Sequence, residues 1–108
     1  MKILLDNNVP RLLRNNLPGH QVDVALQFSW HTLSNGELLD RAESEGYQQL
    51  ITADQRIPYQ QNLSRRDIAV LIITGNRRRH VTRALNAIND AVNSVSQAET
   101  RILEIDAT

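Results

Sequence analysis

The chain contains no cysteine. That removes disulfides, thiolate metal sites and cysteine nucleophiles, while saying little about compartment, because reduced cytosolic proteins also do without it. No apolar run approaches membrane-spanning length. The amino terminus passes through the chain's single lysine into a strand pattern rather than a long apolar stretch, so we expect no signal peptide, no membrane partner and a cytoplasmic protein. Excess charge is missing too. Twelve basic and 12 acidic residues give a formal net charge of zero, so attraction to nucleic acid or anionic lipid must come from a local patch. No tract rich in proline, glycine or serine divides the chain, and there are no internal repeats. A Ser/His/Asp triad, a phosphate-cradling glycine loop and a dinucleotide fingerprint are likewise absent. His20, His31 and His80 lack metal-ligand spacing. At 108 residues, 41% of them hydrophobic, the chain suits one small globular domain over residues 1–108.

What is present is an alternation of strand and helix patterns. Lys2 to Leu5 is apolar after its first residue, as in a strand buried on both faces. Pro10 suits the first turn of a helix running to about Asn16, with Val9, Leu12, Leu13 and Leu17 as its apolar stripe. Gln21 to Ala25 alternates, with Val22 and Val24 on one face. Ser34 and Glu37 have capping-box spacing, opening a helix that continues through Leu38, Leu39 and Ala42 until Gly46. Tyr47 to Thr52 reads as a third strand, and Ile68 to Thr74, the longest β-branched run, as a central one. Helical periodicity returns from about Arg78 to Val95 through Val81, Leu85, Ile88 and Val92, and Arg101 to Ile105 adds an edge strand. This order predicts an α/β domain, its sheet mostly parallel in the order 2-1-3-4 with the fifth strand at an edge, and right-handed crossovers.

That topology gives two aspartates meaning. Asp6 closes the run Ile3-Leu4-Leu5, and Asp54 follows Leu50-Ile51-Thr52-Ala53. In an open parallel sheet the ligand crevice lies beyond the carboxyl ends of the strands, so acids ending strands 1 and 3 converge, and converging carboxylates suit a hard divalent cation. Thr74-Gly75-Asn76 would close the same rim. Glu37, one turn into its helix, and Asp40, one turn further on, are further candidate carboxylates, and Asn7 and Asn8 could orient a metal-bound water. Each also has an ordinary explanation. Asp6 could accept backbone N–H bonds at a helix start, Asp54 could cap the turn toward Pro58, Glu37 completes the capping box, and Asp40 could pair in solvent.

Leu4-Leu5-Asp6-Asn7-Asn8-Val9-Pro10, Leu33-Ser34-Asn35-Gly36-Glu37-Leu38-Leu39 and Leu50-Ile51-Thr52-Ala53-Asp54 together resemble the three motifs of the compact PIN-like domains, a family of unknown function related to PIN-domain nucleases and to toxins of bacterial toxin–antitoxin pairs. The resemblance covers most of the first 75 residues, in order and spacing. It implies a small three-layer domain and a Mg²⁺- or Mn²⁺-dependent ribonuclease, in which Asp6 matches the family's first-strand acid and Asp54 the acid after the third strand. With the candidates read above, the catalytic acids would be Asp6, Asp54 and Glu37, and Asp6, Asp54, Asn7, Glu37 and Asp40 would surround the metal. RNA would be the substrate and an antitoxin protein the partner, with the oligomeric state, a homodimer included, left open. Family members often carry an acid where this chain has Asn7 and usually an Asp where it has Asn35. An amide oxygen can ligate a cation but adds no charge, so these replacements should weaken metal binding and leave a PIN-like RNA- or protein-binding module as the rival reading.

Arg77-Arg78-Arg79-His80 is the one concentrated positive patch. Cations at a helix start oppose its macrodipole, a cost that a bound phosphate would offset, so these four residues are candidate nucleic-acid contacts. Trp30, in a loop, could stack a base or pack over the second helix. A receiver-type signalling domain would use Asp6, Asp54 and Thr74 in a similar array, but it needs a lysine after the last strand, and the sole lysine is Lys2.

Overall fold

The computed structural model describes residues 1–60 and 62–105. Five strands, β1 (Lys2–Leu5), β2 (Gln21–Val24), β3 (Gln49–Thr52), β4 (Ala69–Ile73) and β5 (Thr100–Leu103), form one sheet in the order β2-β1-β3-β4-β5. All pairings are parallel. The expected order holds, and the fifth strand takes the edge beside β4. Registers such as Leu4 with Leu50 and Leu5 with Ile51 put side chains of one parity on one face across neighbouring strands.

Both faces are covered, giving three layers. On the first face Ile3, Leu5, Ile51, Leu71 and Ile73 pack against the 3₁₀ turn Arg11–Asn15 and against Val81, Ile88 and Val92 of the helices described below. On the second, Leu4, Leu50, Val70 and Ile72 pack under Leu38, Leu39 and Ala42 of α1 (Asn35–Ser44) and Ile57 of α2 (Ile57–Gln60). Ser34 caps α1 as expected, accepting the Glu37 N–H, and Gly46 supplies the left-handed turn (φ 84°) that ends it.

Three expectations are corrected. The first helix is a five-residue 3₁₀ turn preceded by Pro10, and the single helix over Arg78–Val95 is two, α3 (Arg78–Arg83) and α4 (Leu85–Ser94), parted at Ala84. Nor do the crossovers share one hand. The connections β2 to β3 and β3 to β4 step one way across the sheet over the second face, and β1 to β2 steps the other way over the first, which is the same hand. The last, β4 to β5, keeps the direction of its two predecessors but crosses the first face, so its hand is opposite. The cause lies in coverage: α2 and its neighbours already occupy the second face, and without α3 and α4 the apolar side chains of Ile51, Leu71 and Ile73 would meet water.

Candidate functional site at the carboxyl rim of the sheet

The chain leaves β1 toward the first face and β3 toward the second, so the rim between these adjacent strands is a topological switch point. Asp6 and Asp54 meet there. The Asp6 N–H donates to the Ile51 carbonyl at 2.9 Å, extending the ladder one residue past β1. Its carboxylate is buried, and Oδ2 accepts the Thr52 hydroxyl at 2.7 Å while Oδ1 accepts the Asn7 N–H at 2.7 Å. Thr52 Oγ1 in turn accepts the Asp54 N–H at 3.1 Å, so one hydroxyl links the Asp6 carboxylate to the main chain of Asp54. Asn8 Oδ1 accepts the Ala53 N–H at 3.0 Å, and the Asn76 amide donates to the Asn8 carbonyl at 3.2 Å. Thus Asn76, after β4, closes the same rim.

Asp54 is saturated by its own neighbours. Oδ1 accepts the Arg56 N–H at 2.9 Å and Nε at 3.1 Å, and Oδ2 accepts Arg56 Nη2 at 3.2 Å. Asn35, the first residue of α1, donates its amide to Asp54 Oδ2 at 3.1 Å and to Gln60 Oε1 at 3.0 Å. Because both partners are acceptors, the nitrogen of Asn35 faces them. The electrostatics follow from these contacts. The Arg56 hydrogen bonds hold the Asp54 carboxyl well below its ordinary value, at about 2. Burial pushes Asp6 the other way, against the bonds from Thr52 and Asn7, and the charge of Asp54 adds to the rise.

The other sequence candidates lie apart from this pair. Glu37 Oε1 accepts the Ser34 N–H at 3.2 Å and hydroxyl at 2.9 Å, bonds that lower its pKa. Asp40 pairs with Arg66 at 2.8 Å, and Glu37 and Asp40 border a shallow cavity of about 370 Å³ with Leu33, Arg41 and Ser44. Asn7 is exposed beside Asp6. Among the described residues no three His, Cys, Asp or Glu side chains gather as a metal-holding group. A divalent cation needs open oxygen ligands, octahedrally placed for Mg²⁺. Here every oxygen of the acid pair has a protein donor, and Asn35 turns its nitrogen inward, so the arrangement as it stands does not fit one.

Arg77, Arg78 and Arg79 are exposed and His80 half-buried at the start of α3, and among the described residues none of the three arginines pairs with an acid. The Gln55 amide donates to the Thr74 carbonyl at 3.2 Å, fastening the Asp54 loop to the segment that leads into them. Trp30 packs rather than projects: it is buried, edge-on to Tyr47 at 6.2 Å, with the Arg41 guanidinium 5.7 Å from its ring.

Sequence reasoning missed Arg56, Tyr59, Arg11 and Arg14. The Asp54-x-Arg56 spacing was a readable signal for a local ion pair, but which face Arg11 and Arg14 share with α3 depends on the crossovers. The 3₁₀ turn, α3 and α4 carry five arginines against the single acid Asp90, whereas α1 carries Glu37, Asp40 and Glu43 against Arg41. A neutral chain is therefore polarised across its sheet. A comparison with protein-family models, with curated proteins and with solved structures finds no match.

Proposed function

We propose that this chain is a PIN-like RNA-binding domain whose strand-end acids brace the rim while Arg77, Arg78, Arg79 and His80 engage phosphate. The observation that carries the reading is the closed Asp54 site: its carboxylate is neutralised in a two-pronged contact by Arg56 and met by an amide nitrogen from Asn35, while the arginines beyond the same rim have no acidic partner among the described residues. Arg11 and Arg14 extend positive charge along the first face. The test is binding of a labelled single-stranded RNA across a salt series. Replacing Arg77, Arg78 and Arg79 with Ala should weaken binding and flatten the salt dependence by about 0.7 in slope for each phosphate that is no longer neutralised. Parent protein that ignores RNA at low salt, or a triple variant with unchanged slope, would refute it.

One observation favours a second reading, a Mg²⁺- or Mn²⁺-dependent ribonuclease acting as the toxin of a toxin–antitoxin pair: Asp6 and Asp54 lie at one rim, the Thr52 hydroxyl joining the carboxylate of the first to the main chain of the second, and the charge of Asp54 acts on Asp6. That reading requires Asp54 to be released from Arg56. It expects slow Mn²⁺-dependent cleavage of single-stranded RNA that Asp6→Asn abolishes; cleavage without metal, or full activity in the variant, would reject it.

A further inference from the structure

The chain has four aromatic residues. Trp30 and Tyr47 are buried, and Phe28 lies against Trp30 at 4.7 Å. Tyr59 alone stands free, 88% exposed. Its placement is firm even though its ring is in water. Ile57, two residues before it, is fully buried in the second core; Gln60, the next residue, accepts from the Asn35 amide that also holds Asp54; and the Tyr59 N–H donates to the Arg56 carbonyl at 2.9 Å. Arg56 is 75% exposed but paired with Asp54 through Nε and Nη2, so the turn's own charge is balanced. Through the Gln55–Thr74 bond this loop adjoins the segment that carries Arg77, Arg78 and Arg79.

An aromatic ring kept out of the core, on an anchored turn fastened to the segment that leads into arginines with no acidic partner among the described residues, has the elements of a nucleic-acid stacking platform, in which arginines follow the backbone and a ring receives a base. We propose that Tyr59 is the base-stacking residue of this rim, receiving an unpaired base while the Arg77–Arg79 segment holds the flanking phosphates. This rests on the RNA-binding reading above and adds to it the residue that separates an unpaired strand from a duplex. Paired bases have their faces covered by their neighbours, so a duplex can satisfy the arginines but not the ring.

The experiment compares binding of a labelled single-stranded RNA and of its duplex to the parent protein and to Tyr59→Ala and Tyr59→Phe, each over a salt series. Tyr59→Ala should weaken single-strand binding by about five- to 150-fold, the range for removal of one base stack. Salt slope and duplex affinity should stay as in the parent, and Tyr59→Phe should bind like the parent. The exposure of Tyr59 means that both variants should keep the parent's thermal midpoint. Salt-dependent binding in the parent with no loss in Tyr59→Ala overturns the stacking role and leaves the RNA-binding reading intact. Equal losses on single strand and duplex, or a loss in Tyr59→Phe as large as in Tyr59→Ala, also overturn it. Absence of salt-dependent RNA binding in the parent overturns both.

Discussion

At the residue scale, Asp6 and Asp54 share the hydroxyl of Thr52 but experience opposite electrostatics, and the difference has a measurable sign. Asp54 is depressed from its ordinary 3.8 to about 2 by Arg56, so its contribution to stability is present above the unfolded value and disappears as the pH falls through the folded one. Asp6 is raised by burial, so the folded state holds its proton more tightly than the unfolded chain does, and ionising it costs stability at neutral pH. We therefore expect the thermal midpoint to rise on mild acidification, while Asp6 takes up its proton, and to fall below about pH 4 as the unfolded chain protonates Asp54. Asp54→Asn should flatten the acid limb, and Asp6→Asn should remove the rise. Melting curves for the three proteins from pH 2 to pH 7 decide the matter; an acid limb unchanged in Asp54→Asn would show that the Arg56 contact does not control it. The carboxylates were legible as strand-end acids. Their protonation was not, because burial and the Arg56 contact exist only in the folded chain.

At the element scale, α1 is the helix whose start was clearest in the sequence, and its capping box is present in full. Ser34→Ala leaves the Glu37 N–H and one side of the Glu37 carboxylate without their partner and should destabilise the protein by about 1 kcal/mol. Denaturant melts should show an unchanged m-value and a lowered midpoint. If Glu37 instead acts mainly at the acid pair, Ser34→Ala should leave stability untouched. The C-terminal helices were less legible. Val81, Ile88 and Val92 lie on one core face whether the backbone between them runs straight or turns at Ala84, so the periodicity could not report the break. Pro10 and its apolar neighbours marked a helical segment, but the choice of a five-residue 3₁₀ turn is made where the chain must return to pair β2 with β1.

At the scale of the whole molecule, the sheet is sealed by two separate cores. Leu39 of α1 and Ile88 of α4 are both fully buried, on opposite faces. Replacing either by Ala should cost about 2–5 kcal/mol. With the sheet between them and no shared partner, the two losses should add to within about 0.5 kcal/mol. A double variant well off the sum would mean that the faces communicate through the sheet. The opposite hand of the last crossover also belongs to this scale: it carries α3, and with it Arg78, Arg79 and Arg83, to the face that already bears Arg11 and Arg14. Among the described residues no helix is long and apolar enough to cross a membrane.

The sequence alone determined the parallel α/β architecture, the strand order and the meeting of Asp6 with Asp54. Apolar runs and capping signals are local, and the packing rules for alternating strands and helices leave few topologies. The tertiary structure decided the rest. It turned Asn35 and Arg56 onto Asp54, placed Glu37 in a cap and Asp40 on Arg66, buried Trp30 while leaving Tyr59 in water, and gathered the arginines of two distant segments on one face. Each of these outcomes depends on which side of the sheet a connection crosses and on how neighbouring loops fill the rim, and a linear pattern carries neither.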